Sequence, residues 1–163
     1  MAVLFGDKQR FAVEVGEFWE GDTRLRRVDL WAADRWLTCD DNMAFVPQFC
    51  MSVRDSLDWL RSGCDLSLPF PDVSPAEAHR LLLSADDGSR EQFWFPLWGP
   101  TRDNVTAHVF RVGNRLSIPF EFWRPAHPRP EELGAVFVAE MPESELIDVL
   151  VQMLAALGCG PDA

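Results

Sequence analysis

A chain of 163 residues with 47% hydrophobic and 25% charged side chains has an ordinary globular composition, long enough to bury a core without staples. Its formal charge of −11 is unevenly spread: all fifteen Lys and Arg fall between Lys8 and Arg129, while residues 131–163 carry seven acids and no base. Such a surface repels nucleic-acid phosphate and anionic lipid and attracts cations, so the expected partner is a basic protein, with no nucleic acid and no membrane. The cysteines, Cys39, Cys50, Cys64 and Cys159, show no CxxC and no paired spacing, the pattern of reduced core thiols. The segment "MAVLFGDKQRF" lacks a basic leader followed by an apolar run, and no window approaches a membrane span. The expected compartment is cytoplasmic.

In chain order, "FAVEVGEFW" (11–19) alternates Phe11, Val13 and Val15 against Ala12, Glu14 and Gly16, as a half-buried strand does. "EGDT" (20–23) turns the chain into a returning strand over 24–31. "AADR" (32–35) turns it again into 36–39, completing an antiparallel meander. Phe49, Val53, Leu57 and Leu60 then define one helix face over 46–61, closed by Gly63. Ser74, Pro75 and Glu77 form a start signal of N-cap, first helical residue and capping-box acid, predicting a helix over 75–84.

Gly113-Asn114 sits between alternating strands and predicts a hairpin of 105–112 with 115–123. Its register places Val109 opposite Ile118, Ala107 opposite Phe120 and Val105 opposite Phe122 on one apolar face. Pro119, opposite His108, argues for an edge strand or a bulge. "AVFVAE" (135–140) reads as a last strand. Pro142 opens a helix with the stripe Leu146, Ile147, Leu150, Val151, Leu154 and Leu157, ended by Gly158. The expectation is a single α+β domain over 1–163, with a largely antiparallel sheet and few helices, one of them C-terminal.

Chemistry-bearing motifs are scarce. His79, His108 and His127 lie in a helix, a strand and a loop, and none has a second ligand at zinc-site spacing. No Gly-rich strand-to-helix loop is present, so no cofactor is expected. A nucleophile–base pair such as Cys64 with His79 has no local signature behind it. The acidic pairs Asp40-Asp41, Asp86-Asp87 and Glu131-Glu132 suit solvated turns, or charge facing a basic protein, better than a glycosidase dyad.

"EQFWFPLWGP" (91–100) is the densest aromatic stretch, with four rings in ten residues. Read as extended chain, it puts Phe93 and Phe95 on one face, where burial at roughly 1.5–3 kcal/mol each accounts for them. Trp94, Trp98 and Trp123 stand between core and surface, because indoles often keep one edge wet. Exposed indoles also serve sugar binding, so a carbohydrate module is the alternative. The acidic 131–148 segment competes as a docking face, although Glu143 and Glu145 occupy a first helical turn that favours carboxylates anyway. Residues 86–98 combine acids and indoles on one irregular loop. The expected partner-binding residues are Asp86 and Asp87 as steering charges, with Trp94 and Trp98 as apolar anchors, Trp98 foremost.

The opening "LFGDKQRFAVEVGEFWE" and the following "VDLWAADRWL" resemble the start of immunity protein family 42 of bacterial polymorphic toxin systems. The resemblance continues through "SPAEAHRLLL", the "VFRVGNRLSI" hairpin and "AVFVAEMPESELIDVLVQML". Two departures stand out: "AADR" lacks the glycine expected in its strand–turn–strand, and 60–100 is rich in Trp and Pro. The resemblance implies a cytoplasmic antitoxin that binds and neutralises a cognate toxin, without catalysis of its own. It supplies no site residues.

Overall fold

The computed structural model describes residues 2–39, 41–95, 98 and 104–159. The strands β1 (Val3–Asp7), β2 (Phe11–Trp19) and β3 (Asp22–Ala32) form an antiparallel meander. On its far side β3 pairs with both β4 (Arg35–Trp36) and β5 (Met43–Phe45). A second antiparallel sheet contains β6 (Val105–Ala107), β7 (Phe110–Val112), β8 (Arg115–Phe122) and β9 (Phe137–Pro142). Three helices, α1 (Val46–Arg61), α2 (Pro75–Ser84) and α3 (Glu143–Ala156), complete the described elements. This is the expected α+β fold, with its strands divided between two sheets; β1 is an edge strand that no alternation announces.

The predicted apolar face of β2 is buried, but Ala12 and Gly16 on its other face are buried as well, so only Glu14 within 11–16 is partly exposed. Phe11, Val13 and Val15 lie opposite Ala32, Leu30 and Val28, and all six are buried. The helix α3 packs on β1, β2 and α1, burying Leu146, Leu150, Leu154 and Leu157. Gly6 permits that approach: a Cβ there would lie 2.3 Å from the Phe11 carbonyl oxygen and 2.9 Å from Val149 Cγ2. At the other end, Gly158 has φ +78°, the Gly158 amide bonds Ala155 O and the Cys159 amide bonds Leu154 O. That pair of bonds is a Schellman stop. The start of α2 is as expected, with the Glu77 amide donating to Ser74 Oγ at 3.2 Å.

The glycine-free turn of "AADR" has a structural support. Ala33 and Asp34 both adopt positive φ, 49° and 63°, the backbone a tight hairpin needs to match strand twist. The strain is offset by the neighbouring β1–β2 turn, whose Arg10 and Lys8 carbonyls accept from the Ala33 and Asp34 amides at 3.2 and 2.8 Å.

Three local expectations are corrected. First, β8 is the central strand of its sheet rather than an edge: β6 and β7 line one side and β9 the other. The pairing keeps the expected register without a bulge. Its ladder is interrupted at residues 108–109: the His108 amide still donates to Pro119 O at 3.1 Å, but Pro119 has no N–H to return. The Val109 amide, on the side away from β8, bonds Phe93 O at 2.9 Å, and Trp94 bridges His108. Second, residues 89–93 form a 3-10 turn, Ser89–Phe93, not extended chain. Gly88 at φ 77° and the Ser89 amide bonded to Asp87 Oδ1 at 3.0 Å start that turn.

Third, the thiols are not all reduced. Cys50 on α1 and Cys159 beyond α3 form a disulfide across 109 residues, with Cys39 and Cys64 outside it. The packing of α1 against α3 brings the pair together, a relation that spacing cannot carry. The bond removes cysteine usage as support for a reducing compartment. Closing so long a loop stabilises by about 2–4 kcal/mol. Urea unfolding with and without reductant should therefore differ by about that amount, and the denatured, unreduced chain should titrate as two thiols. Four reactive thiols before reduction would contradict the linkage.

Candidate functional site

The stretch 86–98 divides between core and surface. Phe93 and Phe95 are buried. Trp98 is only 1% exposed; its Nε1–H donates to Ser56 Oγ at 2.9 Å, and its ring meets Phe11, Phe49 and Phe95 edge-on. Trp98 therefore has no surface to offer a partner, and its expected role as anchor is corrected to a core role. The paired Trp94/Trp98 sugar platform does not form either. Trp123, by contrast, is exposed, with the Arg124 guanidinium over its ring.

Trp94 is half-buried beneath the Arg90 guanidinium, 4.5 Å from its ring centre. Together with Glu91 it forms one wall of a groove of about 260 Å³; Ser52, Asp55, Ser56 and Trp59 of α1 form the other. Trp59 stacks on Phe95, which fixes the groove floor to the core. Asp86 and Asp87 are exposed on the adjoining turn. The Ser89 hydroxyl and amide hold the Asp87 carboxyl below the usual carboxylate range, so it stays ionised. The groove thus presents two indoles bordered by Asp55 and Glu91, with Asp86 and Asp87 nearby in sequence.

The acidic pairs take other roles. Asp40 lies outside the described residues, and Asp41 accepts from the Met43 amide at 3.0 Å. Glu132 is buried, with Arg35 Nε 2.9 Å from one carboxylate oxygen and His127 Nε2 2.8 Å from the other. Glu143 pairs with Arg111 and Glu145 with Arg10, each at 2.7 Å, so with Glu132 three acids of the C-terminal stretch are paired internally.

Cys64 and His79, which no signature joined, do not meet: Cys64 donates to Trp59 O, and His79 joins a different cluster. His79 Nδ1 lies 2.8 Å from His108 Nδ1, and His79 Nε2 lies 3.0 Å from Glu121 Oε1. One assignment satisfies the chain: His108 Nδ1–H donates to His79 Nδ1, and His79 Nε2–H donates to the Glu121 carboxylate. Both rings are then neutral, and His108 Nε2 is left as a buried acceptor without a partner. Burial lowers both pKa values, His108 to about 3 with help from the neighbouring His79; for His79 the Glu121 carboxylate opposes the shift. The histidine with a thiol is His127, whose Nδ1 lies 3.7 Å from Cys39 Sγ. Neither Cys39 nor His127 carries a motif that spacing could single out.

Among the described residues no group of three or more His, Cys, Asp or Glu could hold a metal, and no helix is long and apolar enough to cross a membrane. No family model and no curated protein matches the sequence. The fold is similar to the crystal structure of CdiI from Burkholderia dolosa AUO158. That likeness has a TM-score of 0.66 at 13% identity, over 94% of this chain and 99% of that one. At such identity the likeness is one of fold.

The His108–His79 chain sets an acid limit on stability. A folded pKa below the unfolded one means the unfolded chain binds more protons, so stability falls as pH drops below about 6.5 toward about 3. Each neutral histidine contributes a slope of up to about 1.4 kcal/mol per pH unit. Denaturation between pH 6.5 and 5 should show this loss, and His108→Phe should flatten it. Equal slopes in the two proteins would remove the histidine explanation.

Proposed function

We propose that this chain is an immunity protein that binds and neutralises a cognate, basic toxin without catalysing a reaction of its own. The observation that carries the reading is the likeness in fold to CdiI, an immunity protein of a contact-dependent inhibition system, over nearly the full length of both chains. The resemblance of "LFGDKQRFAVEVGEFWE" to immunity protein family 42, which no family model matches, points to the same general class. Immunity to a toxin acting inside the cell would place the protein in the cytoplasm.

The binding face we assign is the Trp59/Trp94 groove with Asp55, Glu91 and the Asp86-Asp87 turn. Interfaces draw affinity from a few aromatic anchors in a water-excluded centre, while peripheral charge governs encounter rate. Trp94 is the anchor here, since Trp98 is committed to the core.

Binding kinetics against the product of any toxin gene neighbouring this one test the reading. Trp94→Ala should raise the dissociation rate about five- to thirtyfold, the scale of a contact of about 1–2 kcal/mol. Asp86→Asn with Asp87→Asn should mainly slow association, and only at low salt. A folded protein that binds no adjacent toxin would overturn the function; unchanged kinetics in both variants would move the interface elsewhere. Trp98→Ala should act through the fold instead, lowering stability by about 3–5 kcal/mol.

A further inference from the structure

Beside the stacked indoles of Trp31 and Trp36 lies a small cavity of about 110 Å³ that this binding role does not use. Its lining includes Cys39, His127, Arg35, Arg129 and Glu132. These residues come from opposite halves of the chain. Cys39 follows β4 of the first sheet, whereas His127 and Glu132 lie in the β8–β9 connection of the second.

The hydrogen-bond geometry selects one tautomer of His127. Its Nε2 lies 2.8 Å from the Glu132 carboxylate, which only accepts, so Nε2 carries the proton. Nδ1 is then the unprotonated nitrogen, and it faces Cys39 Sγ at 3.7 Å. Phe122 stacks on the imidazole at 4.1 Å and fixes its plane, while Arg35 holds the second Glu132 oxygen at 2.9 Å. Asn104 Nδ2 donates to Cys39 Sγ at 3.4 Å, a contact that favours the thiolate. Glu132, Arg35, Arg129 and Asp34 are the charged groups lining the cavity with the pair. A thiol, a base in the accepting tautomer and a carboxylate that orients the base are the parts of an activated nucleophile.

We propose that Cys39 is a nucleophilic thiol, with His127 as its base and Glu132 as positioning residue, that accepts a small acyl group from an ester. Sγ attacks the acyl carbon as the thiol proton passes to His127 Nδ1. The bond from that carbon to the ester oxygen then breaks, and the imidazolium returns the proton to the departing alcohol. The products are a Cys39 thioester and one alcohol, with no oxidant or reductant required. The cavity admits an acyl group of a few heavy atoms and excludes drug-sized ligands, whose pockets span roughly 300–1,000 Å³.

The test uses p-nitrophenyl acetate on the full-length chain, with Cys64 as internal standard. Cys64→Ser leaves Cys39 as the one cysteine outside the disulfide, and Cys39→Ser leaves Cys64. In the Cys64→Ser protein, p-nitrophenolate release should reach one equivalent, with the acetyl group mapped to Cys39 by mass spectrometry. That rate at pH 7 should exceed the Cys39→Ser protein's by about 10²-fold or more, the scale of general-base assistance. His127→Gln should remove the advantage and return the pH dependence to that of an ordinary thiol near 8.5. Acylation of Cys39 no faster than that of Cys64 overturns the proposal, and so does a folded His127→Gln protein that reacts as fast as its parent. If His127→Gln does not fold, the comparison of the two thiols decides alone.

Discussion

The burial of one indole, Trp98, joins the separate parts of this fold. Its ring touches Phe11 of the first sheet, Phe49 of α1 and Phe95 of the segment flanking the second sheet. Its single polar atom is satisfied by Ser56 on the same helix, so the ring enters the core without an orphan donor. Because Phe95 also bonds through its amide to Ala107 O, fixing Trp98 against α1 fixes the edge of β6 as well. The Trp94 wall of the groove is therefore a consequence of the core: the residue before Phe95 has nowhere to point except outward, over α1.

Pro119 imposes the second constraint. A proline in a central strand withholds one ladder donor, and the partner strand breaks where that donor is missing. On their side away from β8, residues 107 and 109 bond the Phe93–Phe95 segment. Between them His108, buried beside Phe110, meets His79 from α2. A hydrophobic side chain at either histidine would pack there as well; the imidazoles instead link helix to strand through one directed chain ending on Glu121. The cost is an unpaired His108 Nε2 and a core that resists protonation.

What could be read from the sequence was local. Ser74 with Glu77, Gly113 in its turn, Gly158 after a leucine stripe and the alternation of 11–15 each act within a few residues of themselves, and each marks an element as observed. What could not be read depends on partners far along the chain. Cys50 meets Cys159 across 109 residues, and Cys39 meets His127 across 88. The burial of Trp98 depends on Ser56, 42 positions earlier. Composition sees an indole beside prolines and cannot see which helix will cover it. The 3-10 turn at 89–93 was hidden for a different reason: alternating aromatics mimic a strand until an Asx bond from Asp87 redirects the backbone.

The same distinction decides where the negative charge of this protein can act. Residues 131–163 hold its densest run of acids, which in sequence is the natural docking face for a cation. In the fold, Glu132, Glu143 and Glu145 are each engaged with an arginine drawn from the basic part of the chain, Arg35, Arg111 and Arg10. A carboxylate already paired must lose that partner before it serves another, so its contribution to a new interface is largely offset. Among the described residues Asp86 and Asp87 meet no such charge: Asp87 is held by Ser89, a neutral partner that keeps it ionised without cancelling it. Steering depends on uncompensated charge rather than on the number of acids. On that criterion the short acidic turn beside Trp94 keeps both of its charges, whereas Glu132, Glu143 and Glu145 of the longer run do not.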